Sequence, residues 1–364
     1  MSKAAAEPRI AVLIGSGISC AAGLPAIQAL SNEVAVSVSN DQRTLLGTVR
    51  GFASRTHGEG RDSYEDWYFV ADQICQHVDR NFENPALLPI LESIGISNRG
   101  VGEDQLANIC RALCDAITRI VCARLSSSTA EPAVAFDTLD KVIKNIGSRF
   151  AFFSLNHDLL LEHFLRSKKL RFYDGFETHL ETPDFRTFNF SRTAFEKARL
   201  SVMKLHGSVN WRRYRHMRSR AARDKWRDEF FGIRLQENRA FELMDELPLV
   251  LVGTFNKILQ YSTPVFLQMI GEFHHYLQTS SHLIVCGYGF GDKGINTLLA
   301  YWMSEKTPRT MYVIDPNPFD ENRCRGAISQ KVDMWQAENR LKVLPRKIGP
   351  EGVTWAEVLE FAEL

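Results

Sequence analysis

The sequence predicts an α/β protein with a parallel β-sheet covered by helices on both sides and interrupted by a helical insertion. Short aliphatic runs recur along the chain, as expected for parallel strands buried on both faces. Helical patterns alternate with several of these runs, which is typical of a parallel sheet. Between about residues 31 and 146 the strand signals disappear and only helical patterns remain.

The first strand is expected at residues 10–14, where it runs directly into a glycine-rich segment. Further strands are expected at residues 150–154, 201–205, 249–252, 282–286 and 310–314. Helices are expected at 159–166, 265–277 and 295–304, and within the insertion at 64–78, 103–125 and 135–146. We therefore expect a sheet domain of residues 8–30 and 147–325, the insertion at 31–146, a basic insertion at 212–245, and a C-terminal segment, 326–364, packing on the sheet domain.

Composition and charge are those of an ordinary globular protein. The 364 residues are 45% hydrophobic and 24% charged, and the formal net charge is +1. Disordered and fibrous classes are therefore disfavoured, and global charge gives no reason to expect nucleic acid or an acidic membrane as partner. The run 212–227 holds eight Lys or Arg against one acid. It is either a basic arm for a partner or, as such runs more often are, a solvated surface.

The cysteine pattern and the N-terminus predict a cytoplasmic protein without metal. The seven cysteines are scattered and no pair has CxxC spacing, so neither a zinc ribbon nor a disulfide framework is expected. They are better explained as reduced thiols in a cytosol. The apolar run at 10–14 is too short for a signal peptide, and no stretch reaches the length of a membrane span.

Two glycine-rich turns occur where a strand passes into a helix. The first contains Gly15, Ser16, Gly17 and Ser19. Glycines there permit tight turns and close approach of a pyrophosphate, although a plain structural turn explains them equally well. The second turn contains Gly287 and Gly289, and is again suited to a phosphate or ribose. Asp315, at the end of the following strand, could supply a polar contact to a nucleotide.

Polar residues also follow two other strands. Asn156 and Asp158 come after the strand at 150–154, at the edge where ligands bind in open α/β sheets. Helix capping would explain one of these two residues but not both. His206 follows the strand at 201–205 and precedes a glycine. With ten histidines in the chain, its position could also be structural.

The order of these segments resembles the sirtuin family, and specifically the sirtuin-like domain of bacterial antiphage defence proteins. The pattern is Gly-Ser-Gly-Ile-Ser with Gly-Leu-Pro, then Leu-Asn-His-Asp, Leu-His-Gly and Gly-Tyr-Gly, each at a strand end. The resemblance extends from residue 10 to about 320. It implies a doubly wound, Rossmann-like parallel sheet that binds NAD at the carboxyl ends of its strands.

The resemblance also implies roles for the matching residues. Gly15, Ser16, Gly17 and Ser19 correspond to the first NAD loop, and Gly287 and Gly289 to the loop holding the adenosine side. Asn156 and Asp158 correspond to the segment at the nicotinamide ribose, and His206 to the catalytic histidine. On this basis Asn156 positions the ribose and a water, and His206 orients a hydroxyl or acts as general base. Asp158 stabilises the cationic centre or orients a neighbour.

Two departures from deacylating sirtuins bear on the reaction. The zinc ribbon is missing, and the helical insertion takes its place; Pro25 is also not followed by the acidic, aromatic and arginine residues of those enzymes. The resemblance is closer to members that hydrolyse NAD+ to nicotinamide and ADP-ribose. We therefore expect an NADase, with NAD as substrate and no metal, in antiviral defence. Its control is expected through a homo-oligomer or a separate partner, such as a HerA-type ATPase or a short Argonaute-like protein.

Two other functions remain open at this stage. An NAD-dependent protein deacylase would need an acyl-lysine channel, and the missing zinc ribbon argues against it. A non-catalytic module that senses NAD or ADP-ribose would keep the glycine turns but would need neither Asn156 nor His206.

Overall fold

The computed structural model describes residues 9–57, 62–78, 85–93, 103–127, 130–146, 148–179, 182–216, 229–236, 241–253, 257, 260–261, 263–305, 309–320, 324, 326–349 and 351–364. The chain forms two compact units. Unit 1 consists of Met1–Leu24, Leu125–Val250 and Tyr261–Leu364, and unit 2 of Pro25–Arg124 and Leu251–Gln260.

The strands, in chain order, are β1 (Arg9–Ile14), β2 (Arg149–Ser154), β3 (Phe176–His179), β4 (Thr182–Phe188), β5 (Leu200–Lys204), β6 (Arg212–His216), β7 (Glu229–Arg234), β8 (Phe241–Leu243), β9 (His282–Cys286), β10 (Thr310–Ile314) and β11 (Leu341–Leu344). All of them lie in unit 1. They form a six-stranded sheet and a separate five-stranded sheet.

The six-stranded sheet is parallel, with the order β11-β10-β9-β1-β2-β5. From β1 the chain moves outward through β2 to β5, then returns to the other side of β1 and moves outward from β9 to β11. This is the doubly wound order of dinucleotide-binding sheets, with the two halves meeting between β1 and β9. The predicted α/β fold class with a Rossmann-like parallel sheet is confirmed.

One predicted strand is wrong and one strand of the parallel sheet was missed. Residues 249–252 form only an isolated antiparallel bridge, between Val250 and Gly207. Leu251 and Val252 are both 1% exposed. The apolar run is therefore explained by burial of its side chains and not by pairing within a sheet. The missed strand, β11, pairs in parallel with β10 at the sheet edge. Its mixed sequence, Leu-Lys-Val-Leu, lacks the continuous apolar run of the central strands.

The second sheet is antiparallel, with the order β3-β4-β7-β6-β8, and the sequence analysis did not foresee it. Its small core consists of Phe185, Tyr214 and Phe241, with the ring centroids of Phe185 and Tyr214 4.6 Å apart. The first part of the basic run 212–227 is strand β6, and residues 217–227 lie outside the described residues. Within β6, Arg215 pairs with Glu242 at 2.6 Å.

The helices, in chain order, are α1 (Ser16–Ala21), α2 (Ile27–Ser37), α3 (Asn40–His57), α4 (Tyr64–Val78), α5 (Leu88–Ser93), α6 (Glu103–Ser126), α7 (Pro132–Phe136), α8 (Leu139–Asn145), α9 (Leu160–Ser167), α10 (Arg192–Lys197), α11 (Pro264–Thr279), α12 (Lys293–Ser304), α13 (Val332–Ala337) and α14 (Trp355–Phe361). A 3-10 helix, Pro85–Leu87, precedes α5. None of the helices in the described ranges has the length and hydrophobicity needed to cross a membrane.

The segment 135–146, predicted to be helical, is not one continuous helix. The structure has α7 and α8 instead, because Thr138 adopts a left-handed backbone with φ of 66° and ends the first helix. Both helices lie in unit 1, where they join the core on one face of the parallel sheet. Phe136 of α7 stacks on Trp355 of α14, with ring centroids 6.2 Å apart. Between β1 and β2, helices α2 to α5 belong to unit 2.

Candidate active site

The strands of the parallel sheet end level with one another, in one row of paired residues. Ile14 pairs with both Ser154 and Cys286, Ser154 also pairs with Lys204, and Cys286 also pairs with Ile314. Predicted site residues follow this row at one edge of the sheet. The residues directly after the row include Gly15, Gly287 and Asp315, and the residues two positions after it include Asn156 and His206.

Asn156 is held by a network that fixes the direction of its amide. Its Nδ2 donates to the backbone oxygen of Gly15 at 3.0 Å and to Oγ of Ser19 at 2.9 Å. Because a carbonyl oxygen can only accept, the atom facing Gly15 must be the amide nitrogen. Both hydrogens of Nδ2 are thus used. The oxygen Oδ1 is left as the group with which Asn156 can accept a hydrogen bond.

Ser19 and Asp158 continue the hydrogen-bond network that holds this amide. The Ser19 hydroxyl donates to Oδ2 of Asp158 at 2.7 Å, while Oδ1 of Asp158 accepts from the backbone N–H of Leu160 at 3.0 Å. Ser19 is 5% exposed and Asp158 6% exposed. Asp158 therefore both accepts from the first N–H of α9 and orients Ser19. Burial, and then the charge of Asp158, raises the pKa of the Cys20 thiol.

The glycines of the two turns pack directly against each other. The N–H of Gly17 donates to the oxygen of Gly287 at 2.8 Å, and the N–H of Gly15 donates to the oxygen of Cys286 at 2.9 Å. A Cβ atom on Gly15 would lie 2.5 Å from the Gly287 oxygen, and a Cβ atom on Gly17 would lie 2.8 Å from the Cα of Gly287. Glycine is thus required for the contact between these turns. A phosphate that uses the Gly17 N–H has to replace its bond to Gly287.

The remaining residues of the turns differ in exposure. Ser16 is exposed, and Gly289 is half-buried. Between Gly289 and α12, Phe290 adopts a left-handed backbone with φ of 53°, which is strained for a bulky residue. The side chain of Asn296 holds this conformation, because its Nδ2 donates to the Phe290 oxygen at 2.7 Å. Its Oδ1 accepts from the hydroxyl of Tyr288 at 2.9 Å.

His206 lies in a turn whose geometry requires the following glycine. Gly207 has φ of 80°, and a Cβ there would lie 2.1 Å from the oxygen of Leu249. The N–H of Ser208 donates to that same oxygen at 3.2 Å. On the other side, the N–H of Val209 donates to the oxygen of His157 at 3.0 Å. The turn after β5 is therefore fixed to the segment after β2 that carries Asn156.

The structure places Asp292 beside His206, although no role was predicted for it from the sequence. Nε2 of His206 lies 3.2 Å from Oδ2 of Asp292, and both side chains are buried, at 5% and 7% exposed. Asp292 also caps α12, because its Oδ1 accepts from the N–H of Ile295 at 3.0 Å. One signal could have pointed to it: Asp292 directly follows the second glycine turn, at the same sheet edge as His206.

A buried lysine contacts the chain segment that carries predicted catalytic residues. Lys204, 3% exposed, ends β5, and its Nζ lies 3.4 Å from a carboxylate oxygen of Glu162 on α9. The same Nζ donates to the backbone oxygen of Asp158. This ion pair connects the end of β5 to the segment that carries Asn156.

Asp315 is 7% exposed at the end of β10. Its Oδ1 accepts from the N–H of Asn317 at 2.9 Å, which closes a turn after the strand. Burial, and then the charge of Asp315, raises the pKa of the Cys286 thiol.

The comparisons with known proteins identify the family. Residues 151–341, slightly more than half of the chain, match the model of the SIR2-like domain. The chain belongs to the SIR2-like domain family. A search of curated proteins found no match. Proteins with a SIR2-like domain are typically NAD-dependent enzymes.

Two solved structures were also found by the comparison of folds. One, described as "Structural Basis for the Mechanism and Regulation of Sir2 Enzymes", is 13% identical, with 98% of this chain and 90% of the other covered. The second, described as "The Structural basis of Sirtuin Substrate Affinity", is 12% identical, with 91% and 93% covered. Both have a TM-score of 0.37. The matched SIR2-like region contains both Asn156 and His206.

Proposed function

We propose that this SIR2-like domain is an NAD+ glycohydrolase that releases nicotinamide and ADP-ribose. The observation that carries the proposal is the amide direction of Asn156. Its nitrogen is held by Gly15 and Ser19, so Oδ1 is the atom that can accept a hydrogen bond from a water or a ribose hydroxyl. This acceptor is fixed before any substrate binds, which favours orientation of a nucleophile.

The reaction is simple in its bond changes. The bond between C1′ of the ribose and the nicotinamide nitrogen breaks, and its electron pair leaves with nicotinamide as a neutral base. The oxygen of a water forms the new bond to C1′. The proton lost by this water passes to His206 or to solvent. Because pyridinium is a good leaving group, the site has no need of a general acid for this departure; it must stabilise the oxocarbenium-like centre and orient the water.

We further propose that the enzyme acts as an NAD-depleting effector of antiphage defence. This proposal rests on the resemblance of the motifs to defence-type relatives and on the lack of CxxC pairs for a zinc ribbon. Such an enzyme needs a switch, because uncontrolled turnover would drain NAD from its own cell. We propose that assembly into a homo-oligomer or a separate partner protein provides this switch.

Incubation of the purified protein with NAD+ tests the activity. We expect nicotinamide and ADP-ribose in equal amounts without any acyl peptide, with strong loss in Asn156→Ala and His206→Ala. Matched controls are His282→Ala, at the opposite end of the sheet, and Asn189→Ala, at an exposed position. Turnover that requires an acyl-lysine peptide would instead support a deacylase. Variants as fast as the wild type would refute the assignment of the site.

The switch is tested over a range of protein concentrations. If assembly activates the enzyme, specific activity rises with concentration in step with the oligomer observed by light scattering. Full turnover by a dilute monomer on its own would refute control by assembly or by a partner.

A further inference from the structure

We infer that Asp292 is the positioning residue of His206 and holds its imidazole in the tautomer that carries the proton on Nε2. In this tautomer Nδ1 is the nitrogen that can accept a proton or a hydrogen bond at the sheet edge. The inference deepens the proposed function and rests on it for its consequence in catalysis. The pairing itself stands on the geometry of unit 1.

The geometry brings a nitrogen of the imidazole within pairing distance of a carboxylate oxygen. Nε2 of His206 lies 3.2 Å from Oδ2 of Asp292. Within the described residues, this buried nitrogen has no partner in a hydrogen bond of normal angle, so the carboxylate is the polar group that it approaches. An ionised carboxylate can only accept, whereas a neutral imidazole carries its proton on one nitrogen or the other. The carboxylate therefore selects the tautomer with hydrogen on Nε2.

The position of the carboxylate is fixed by the fold. Oδ1 of Asp292 accepts from the N–H of Ile295 at 3.0 Å and so caps α12. The backbone of Asp292 contacts the Tyr288 hydroxyl, which accepts from its N–H at 3.2 Å and lies 3.2 Å from its oxygen. One oxygen is thus held at the helix while the other faces His206.

Two further ionisable groups lie close to this pair. Burial and then the charge of Asp292 raise the pKa of Tyr261, so its phenol stays neutral beside the carboxylate. The imidazole of His157 lies near His206, with ring centroids 6.4 Å apart. Neither group places a second negative charge against the imidazole. Among the residues that the structure describes, Asp292 is therefore the anion that orients the imidazole.

The helix cap also determines the orientation of the amide when asparagine replaces Asp292. In Asp292→Asn, the amide oxygen must stay at the Oδ1 position to accept from Ile295, because an NH₂ group cannot accept. The NH₂ group then takes the Oδ2 position and faces His206. The imidazole must accept on Nε2, and its proton moves to Nδ1. The variant keeps the helix cap but reverses the tautomer.

Selective ¹⁵N labelling of histidine gives a readout that needs no activity. We expect the His206 signals, assigned with His206→Gln, to show hydrogen on Nε2 in the wild type and on Nδ1 in Asp292→Asn. Asp292→Ser, which can still cap α12, removes the carboxylate without reversing the tautomer. Unchanged ¹⁵N shifts in Asp292→Asn, or hydrogen on Nδ1 in the wild type, would overturn the inference.

Kinetics give the second readout. We expect kcat for NAD+ to fall about 10²–10⁴-fold in Asp292→Asn, and less in Asp292→Ser, with little change in KM. A kcat close to that of the wild type in a variant with the reversed tautomer would overturn the catalytic consequence. A wild-type protein without NAD+ turnover would refute the proposed function instead, and the ¹⁵N signals would still decide the pairing.

Discussion

Replacement of Asn156 by aspartate tests the central network of the site with almost no change in shape. In Asn156→Asp, a carboxylate oxygen replaces the Nδ2 atom that donates to Gly15 at 3.0 Å and to Ser19 at 2.9 Å. An oxygen cannot donate to the Gly15 carbonyl, so the two atoms repel. The single hydrogen of the Ser19 hydroxyl is already donated to Asp158 at 2.7 Å. The new carboxylate is therefore left beside that of Asp158 without a compensating donor.

The expected cost follows from these contacts. Two hydrogen bonds are lost, each contributing about 1 kcal/mol, and the new carboxylate is buried without a donor, which costs about 1–3 kcal/mol more. The Gly15 oxygen keeps its bond from the N–H of Ile18 at 3.3 Å. Asn156 is only 9% exposed, so water replaces these bonds poorly. We expect Asn156→Asp to lower the free energy of unfolding by about 3–5 kcal/mol, and NAD+ turnover to fall to the level of Asn156→Ala.

Urea unfolding followed by tryptophan fluorescence measures this loss. Burial raises the pKa of the introduced carboxyl, so its destabilising effect is smallest at low pH, where it is protonated in both states, and grows as the pH rises. Asn189→Asp is the matched control, because Asn189 also donates from Nδ2, to Glu177 at 2.8 Å, but is exposed. A loss below about 1 kcal/mol in Asn156→Asp, equal to that of the control, would refute the reasoning.

Three further changes have definite expected outcomes. Gly207→Ala forces a Cβ to within 2.1 Å of the Leu249 oxygen at φ of 80°, so thermal unfolding should show a loss of about 2–5 kcal/mol. Lys204→Met leaves Glu162 buried without its cation and should cost about 3–5 kcal/mol, whereas the double variant Lys204→Met/Glu162→Leu should recover most of this in the same assay. Asp315→Asn keeps an acceptor for its turn but removes the charge that would repel a 2′-phosphate; kcat/KM for NADP+ relative to NAD+ should rise about tenfold in parallel assays.

The parallel sheet could be predicted because each central strand is apolar on both faces. The segments 282–286 and 310–314 agree with β9 and β10 at both ends. The antiparallel sheet could not be predicted in this way, because strands such as β6, Arg-Arg-Tyr-Arg-His, have a charged face and a very small core. Its assembly also needs pairing between strands that are distant in sequence, such as β4 with β7, which a single segment does not reveal.

The positions of the candidate site residues could be predicted, but not their partners. Position follows from topology, since residues after parallel strands come to the same sheet edge. The direction of the Asn156 amide depends on Gly15 and Ser19, 141 and 137 residues away. The approach of Asp292 to His206 likewise joins residues that are far apart in the chain, on the turns after β9 and β5. Such contacts arise from packing across the sheet and leave no local pattern in the sequence.

The glycine turns show why a test of nucleotide binding must avoid the glycines. A Cβ on Gly15 or Gly17 would strike the Gly287 backbone, so loss of activity in an alanine variant there would follow with or without a ligand. Ser16 offers a cleaner test, because it is exposed and lies at the first position of α1. An aspartate in that position is favoured by the helix dipole, so Ser16→Asp should not destabilise the fold.

If the pyrophosphate of NAD+ lies at this turn, the new charge in Ser16→Asp repels it by about 1–2 kcal/mol, and KM should rise about 5- to 30-fold while kcat changes little. The effect should shrink as salt concentration rises, because the charge is exposed and therefore screened. Ser329→Asp adds the same charge at another exposed site of unit 1. Equal KM values for the two variants would place the pyrophosphate away from Ser16, and the glycines would then serve only the contact between the two turns.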